Sequence, residues 1–261
     1  MISSRNNPNV KLARALRQKK ARKESGLFVV EGIRPVGEAV EAGAEIETIF
    51  YAPESLHSEY AEELIRTQTD RGGNCLAVTT DVFNTISDKE NPQGILALVK
   101  QSQRKLEDLN ADQFPWLVGL VAPQDPGNLG TILRTIDAVG AGGLILIDST
   151  LDAYHPSAVR ASMGSLFWYP MVNAAFREFV DWSRAQGYTL YGTSAHAEMN
   201  YRQVEAYASP RILLMGSERQ GLTDEQQAAC DVLISLPMLG RATSLNLAIA
   251  TGLMLYAMLG K

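Results

Sequence analysis

The chain has 261 residues, 46% of them hydrophobic, and a formal net charge of −5. That length supports one or two domains with a substantial core, and the composition excludes collagen-like, disordered and disulfide-stapled classes. Cys75 and Cys230 stand far apart, and His57, His155 and His196 do not cluster, which argues against a zinc centre or a histidine-based triad and for a reducing, cytoplasmic setting.

The charge is unevenly placed. Residues 1–23 hold Arg5, Lys11, Arg14, Arg17, Lys19, Lys20, Arg22 and Lys23 and no acid; removing these eight from 24 basic residues leaves 16 against 29 acidic ones, a net of −13. Such asymmetry predicts a phosphate-binding arm, with Arg5, Lys11, Lys19, Lys20, Arg22 and Lys23 as the phosphate contacts. The alternative is a solvated helix that Val10, Ala13 and Leu16 anchor to the body. A polar, basic start also predicts no secretory leader.

Strands are predicted over 28–30, 46–51, 76–78 and 95–99, with helices over 33–42, 58–71 and 82–86 between them. This alternation gives a small α/β layer. Residues 101–113 are polar and charged and read as a linker, so the expected domains are 1–105 and 112–261. The second domain has apolar strands at 117–121, 144–147, 189–193, 212–215 and 232–236, with helices between them, which implies a mostly parallel sheet covered on both faces. After the first strand comes PQDPGNLG and a helix predicted over 128–139. Ile132, Leu133, Ile136 and Val139 give that helix an apolar stripe, and Arg134 lies off much of it. The final helix is expected over 244–259 and is apolar almost all round, so it needs cover on more than one side. It is too short to cross a bilayer. No GxGxxG follows the first strand of either domain, which ranks a nicotinamide dehydrogenase low.

Three segments in this order carry a resemblance: PQDPGNLGTILRTI around Asn128, Gly130 and Arg134; LLMGSERQGL around Gly216, Glu218 and Gly221; and LPMLGRATSLNLAIA around Pro237, Met238, Gly240, Ser244, Leu245 and Asn246. Together they resemble the signature motifs of the SPOUT superfamily, in its SpoU/TrmH branch of RNA ribose 2′-O-methyltransferases. The N-terminal third resembles that family's RNA substrate-binding domain. The resemblance implies an α/β SPOUT domain with a trefoil knot, a homodimer, S-adenosylmethionine as methyl donor and no metal. It favours ribosomal over transfer RNA as substrate. A tRNA ribose methyltransferase and a catalytically silent RNA-binding relative are the alternatives.

By the same resemblance, Thr193, Ser194, Gly216, Leu236, Met238, Gly240 and Leu245 are expected to hold the cofactor. Asn128, Arg134, Glu218, Ser244 and Asn246 are expected to form the catalytic set. Methyl transfer from a sulfonium needs chiefly alignment and support of the forming alkoxide. Arg134 is therefore expected to donate to the acceptor, since a guanidinium stays protonated in proteins. Asn128 and Ser244 also suit the cap position of their helices, and Glu218 is expected to hold Arg134 or Asn128. Thr243, Leu247 and Arg241 depart from the usual family pattern. Residues 160–165, RASMGS, also resemble a family segment facing RNA.

Overall fold

In the computed structural model, which describes residues 1–259, the chain forms two compact units, residues 1–102 with 152–168, and residues 103–151 with 169 onward. In the first unit Asn7 caps α1 (Pro8–Ala15), and α2 (Lys19–Ser25) ends on Gly26 in the left-handed region at φ 68°. There follow β1 (Leu27–Glu31), α3 (Ile33–Glu41), β2 (Ile46–Tyr51), α4 (Glu59–Asp70), β3 (Cys75–Ala77), α5 (Thr80–Ile86) and β4 (Ile95–Lys100). The sheet runs β1-β4-β2-β3, antiparallel except for the β2–β3 pair. Val10, Ala13 and Leu16 of α1 pack in its core with Phe50, Phe83, Leu96 and Leu98. The N-terminal segment is thus helical and anchored, while Arg5, Lys11, Lys19, Lys20 and Lys23 remain exposed.

Arg22 corrects the expectation of a phosphate contact. It is 2% exposed, and its guanidinium donates to Asp152 Oδ2 at 2.8 and 2.6 Å and to the Leu16 carbonyl at 2.6 Å. A buried guanidinium with these partners is tied up in an internal ion pair.

The second unit opens with β5 (Trp116–Val121), α6 (Pro126–Val139) and β6 (Leu144–Ile147). The chain then returns to the first unit for α7 (Pro156–Ser162). It comes back through β7 (Met171–Ala174), α8 (Phe176–Ala185), β8 (Thr189–Thr193), β9 (Arg211–Met215), α9 (Asp224–Ala228), β10 (Val232–Ile234) and α10 (Leu247–Leu259). The six strands are ordered β10-β8-β9-β5-β6-β7 and every pairing is parallel. One face is covered by a cluster with Val172, Phe179, Val180 and Tyr188, joined by Leu106 and Leu109 from the linker. Leu129, Ile132, Leu133 and Ile136 of α6 are buried, as are Met254, Leu255 and Met258 of α10. Among the described residues no helix is long and apolar enough to cross a membrane.

Two helix starts differ from expectation. α6 begins at Pro126, because Asp125 accepts the Gly127 N–H at 2.6 Å and Pro suits a first turn. α10 begins at Leu247, because Asn246 Oδ1 accepts the N–H groups of Ala248 (2.9 Å) and Ile249 (3.3 Å). Asn128 and Ser244 are therefore not the caps of these helices, and both are left for other uses.

Candidate active site

β5 is the switch point of the parallel sheet, since the chain moves from it to β6 on one side and β9 flanks it on the other. Loops leaving strand ends at such a point diverge and leave a crevice. The backbone is strained there: Ala122 and Asp148, the residues after β5 and β6, have φ of 44° and 48°. The loop after β9 is a tight hairpin in which Ser217 and Gly221 exchange both backbone hydrogen bonds, at 3.2 and 2.9 Å. Gly216 is needed by the loop itself, because a Cβ there would lie 2.0 Å from the Gly221 carbonyl carbon.

The hairpin presents Glu218 toward the start of α6. Its carboxylate accepts the N–H of Gln124 (3.1 Å), the N–H of Asp125 (3.3 Å) and Asn128 Nδ2–H (3.2 Å). An anion over the first turn of a helix also complements its dipole. Asn128, 8% exposed, in turn accepts Asn246 Nδ2–H at 2.9 Å. One chain of hydrogen bonds thus joins all three motif segments, and Asn246 caps α10 with the oxygen of the same amide.

Beside this chain lies a cleft of about 370 Å³, lined from the ends of β8, β9 and β10 and the start of α10. Thr193, Ser194, Gly216, Leu236, Met238 and Leu245 of the expected cofactor set line it, as do Glu218 and Ser244. Gly240 is not among the lining residues, and a Cβ on it would meet open space. Asn128 and Asn246 reach the cleft through Glu218, while Arg134 stands apart: it is exposed on α6, outside the lining, and makes no hydrogen bond or ion pair among the described residues. Glu218 holds Asn128 and not Arg134. Sequence reasoning did not place His196, Arg219, Gln220 or Gln227 in the site, though all four also line the cleft; the signal available for the first three was their position just past strand ends, whereas Gln227 comes from α9.

The lining suits a nucleoside with a charged tail. Leu236, Met238, Leu245 and Leu247 supply apolar walls, and among the described residues the N–H groups of Leu236, Met238 and Leu245 have no protein acceptor. These free donors can meet the ring nitrogens of a base. No group of three or more His, Cys, Asp or Glu side chains arranged to hold a metal occurs among the described residues.

A parallel six-stranded α/β sheet with a ligand-sized cleft at its strand ends, in a chain with a second α/β unit, defines an α/β ligand-binding class of fold. Residues 115–256 match the SpoU rRNA Methylase family and residues 7–97 an MRM3-like substrate binding domain, and the chain belongs to the SpoU family. It is 35% identical over 263 residues to the 23S rRNA (uridine(2479)-2′-O)-methyltransferase of Streptomyces viridochromogenes, covering 98% of this chain and 90% of that protein. It is 30% identical to the 23S rRNA (guanosine(2553)-2′-O)-methyltransferase RlmP of Bacillus subtilis, covering 99% of both chains. The crystal structure of an AdoMet-bound rRNA methyltransferase from Sinorhizobium meliloti superposes with a TM-score of 0.90 at 39% identity, covering 98% of this chain and 95% of that one. The expected fold class and family are thereby established.

Proposed function

We propose that this protein transfers a methyl group from S-adenosylmethionine to a ribose 2′-hydroxyl of 23S ribosomal RNA, in the cytoplasm. The observation that carries the reading is the Glu218–Asn128–Asn246 hydrogen-bond chain, which ties the first motif segment to the two that line the cleft. The names of the two relatives, both 23S rRNA 2′-O-methyltransferases, support the substrate class.

S-adenosylmethionine, when bound, supplies an electrophilic methyl that needs no further activation. Thr193, Ser194, Leu236, Met238 and Leu245 would hold it, with backbone N–H groups on the base and apolar walls on its faces. Glu218, with its acceptors filled by α6, fixes the cleft's edge and leaves Ser244 to orient the acceptor. Arg134 donates to the acceptor oxygen or its adjacent phosphate; as a cation it stabilises the forming alkoxide, and the hydroxyl proton passes to that phosphate or to water.

A single chain leaves Arg134 in solvent, beside an apolar surface. Ile249, Leu253, Tyr256 and Leu259 of α10 are 57%, 46%, 58% and 50% exposed, and α10 packs along α6. A second copy covering this surface would enclose Arg134 and remove exposed apolar area from water. We therefore take the working form as a homodimer. The knotted course of the family's chain is taken over from the resemblance. Calorimetric titration with S-adenosylmethionine tests the cofactor half directly: micromolar binding is expected, and the absence of binding would favour a catalytically silent RNA binder.

A further inference from the structure

Trp168 is 50% exposed. An exposed indole offers a large, flat apolar surface with one polar atom. Its indole N–H donates to Glu38 Oε2 at 2.8 Å, and Glu38 also lies 3.6 Å from Arg34, whose side chain is 72% exposed. The RASMGS turn closes on the same carboxylate. A Cβ at Gly164, where φ is 103°, would lie 2.6 Å from Glu38 Cγ, so only glycine allows this approach. The turn also holds Met163 at φ 52° and 39% exposed, and exposed Arg160 lies in the last turn of α7 just before it.

The ring is thus pinned by its one polar atom, which has no other hydrogen bond to give. What it offers outward is an apolar π face near a guanidinium whose partner carboxylate is shared. Among the described residues, the other large exposed apolar side chains of this unit are Met1, Tyr60 and Met163, interleaved with charged residues. That is a poor match for the apolar centre of a protein interface. It fits an unpaired base: bases stack on aromatic rings and guanidinium planes, and the flanking phosphates pair with arginine.

We infer that Trp168, held by Glu38, is a stacking platform for an unpaired base of the RNA, with Arg34 on the same carboxylate to take a neighbouring phosphate. The inference rests on the RNA reading above. It assigns the RASMGS segment a task in substrate binding.

The test is a fluorescence titration of the full chain with a short oligouridylate at low salt. Trp116 is 7% exposed and Trp182 is partly buried, so quenching by a stacked base reports chiefly on Trp168. Saturable quenching is expected. Trp168→Ala should weaken RNA binding about tenfold, the scale of one lost stacking contact. Trp168→Phe should retain most of the affinity but lose the quenching. Neither change should move the melting temperature much or alter S-adenosylmethionine binding. Equal RNA affinity for Trp168→Ala, or quenching that persists in Trp168→Phe, would overturn the platform alone. A shift of oligomeric state in Trp168→Ala would overturn it too, by placing the ring in a protein interface. If the wild-type chain binds no RNA of any kind, the functional reading itself falls with it.

Discussion

Glu218 shows how one side chain can be structural and functional at once. Its oxygens accept from two backbone N–H groups and Asn128, and it faces the cleft in doing so. Glu218→Gln puts an NH₂ where an acceptor is needed, so a donor there goes unmatched. The expected loss is about 1–3 kcal/mol of stability, measured by denaturant unfolding, together with slower methyl transfer. Arg134 has the opposite profile: exposed and unpaired, it is free to be replaced without cost to the fold. Arg134→Ala should keep cofactor affinity within a few-fold and lower single-turnover transfer by roughly 10²-fold, as for one lost oxyanion donor. Arg134→Lys should restore little, since a point charge does not copy a planar fork. If Arg134→Ala abolished cofactor binding and kept the rate at saturating cofactor, its assignment to the acceptor would be wrong.

Two further residues set an alkaline limit. Burial, with help from Asp231, pushes the Cys230 thiol from 9.0 up to about 12, and burial pushes Tyr188 from 10.0 up to about 12. The folded chain therefore holds these protons over a range where the unfolded chain has lost them. Stability from both groups is complete below about pH 9 and declines as pH rises toward 12. Melting temperatures should fall over this interval, and less steeply for Tyr188→Phe combined with Cys230→Ala; parallel slopes would show that other groups set the limit.

At the level of elements, α10 divides cleanly. Met254 is fully buried against its own unit, whereas Leu253 is 46% exposed. Leu253→Asp should give a folded monomer with its cofactor cleft intact, while Met254→Asp should fail to fold. Light scattering showing a wild-type monomer at micromolar concentration would remove the case for a dimer. The basic helices divide in the same way. Lys19, Lys20 and Lys23→Gln should weaken RNA binding and flatten its dependence on salt, as expected when fewer counterions are released. Arg22 belongs to the fold, and Arg22→Ala should destabilise it by about 3–5 kcal/mol by stranding Asp152.

Periodicity and turn chemistry made the long elements legible, and the three motif segments made most of the cleft legible. β7 escaped because Asn173 breaks the apolar run that marks the equally short β6. The starts of α6 and α10 were misjudged because several residues near each start can cap, and local geometry chose Asp125 and Asn246. The inward turn of Arg22 depends on Asp152, far along the chain, and no local pattern announces such a pairing. The same holds for the Glu218–Asn128–Asn246 chain: the residues were legible as candidates, but their mutual contacts exist only once the sheet is assembled.

The whole molecule joins a cleft suited to a nucleoside cofactor, an exposed arginine on the neighbouring helix, and another unit with a basic N-terminal segment and a pinned tryptophan. Each part has a use in methylating RNA, and a ribose product has a chemical signature of its own. A 2′-O-methyl group removes the nucleophile of alkaline hydrolysis, so the modified linkage survives base as a dinucleotide. The decisive measurement is transfer of labelled methyl from S-adenosylmethionine to total RNA of a strain lacking this protein, followed by alkaline digestion. Label should appear in 23S rRNA, in an alkali-stable dinucleotide, and should appear roughly 10²-fold more slowly with Arg134→Ala. Label on a base, label confined to tRNA, or no transfer by a chain that binds the cofactor would contradict the assignment.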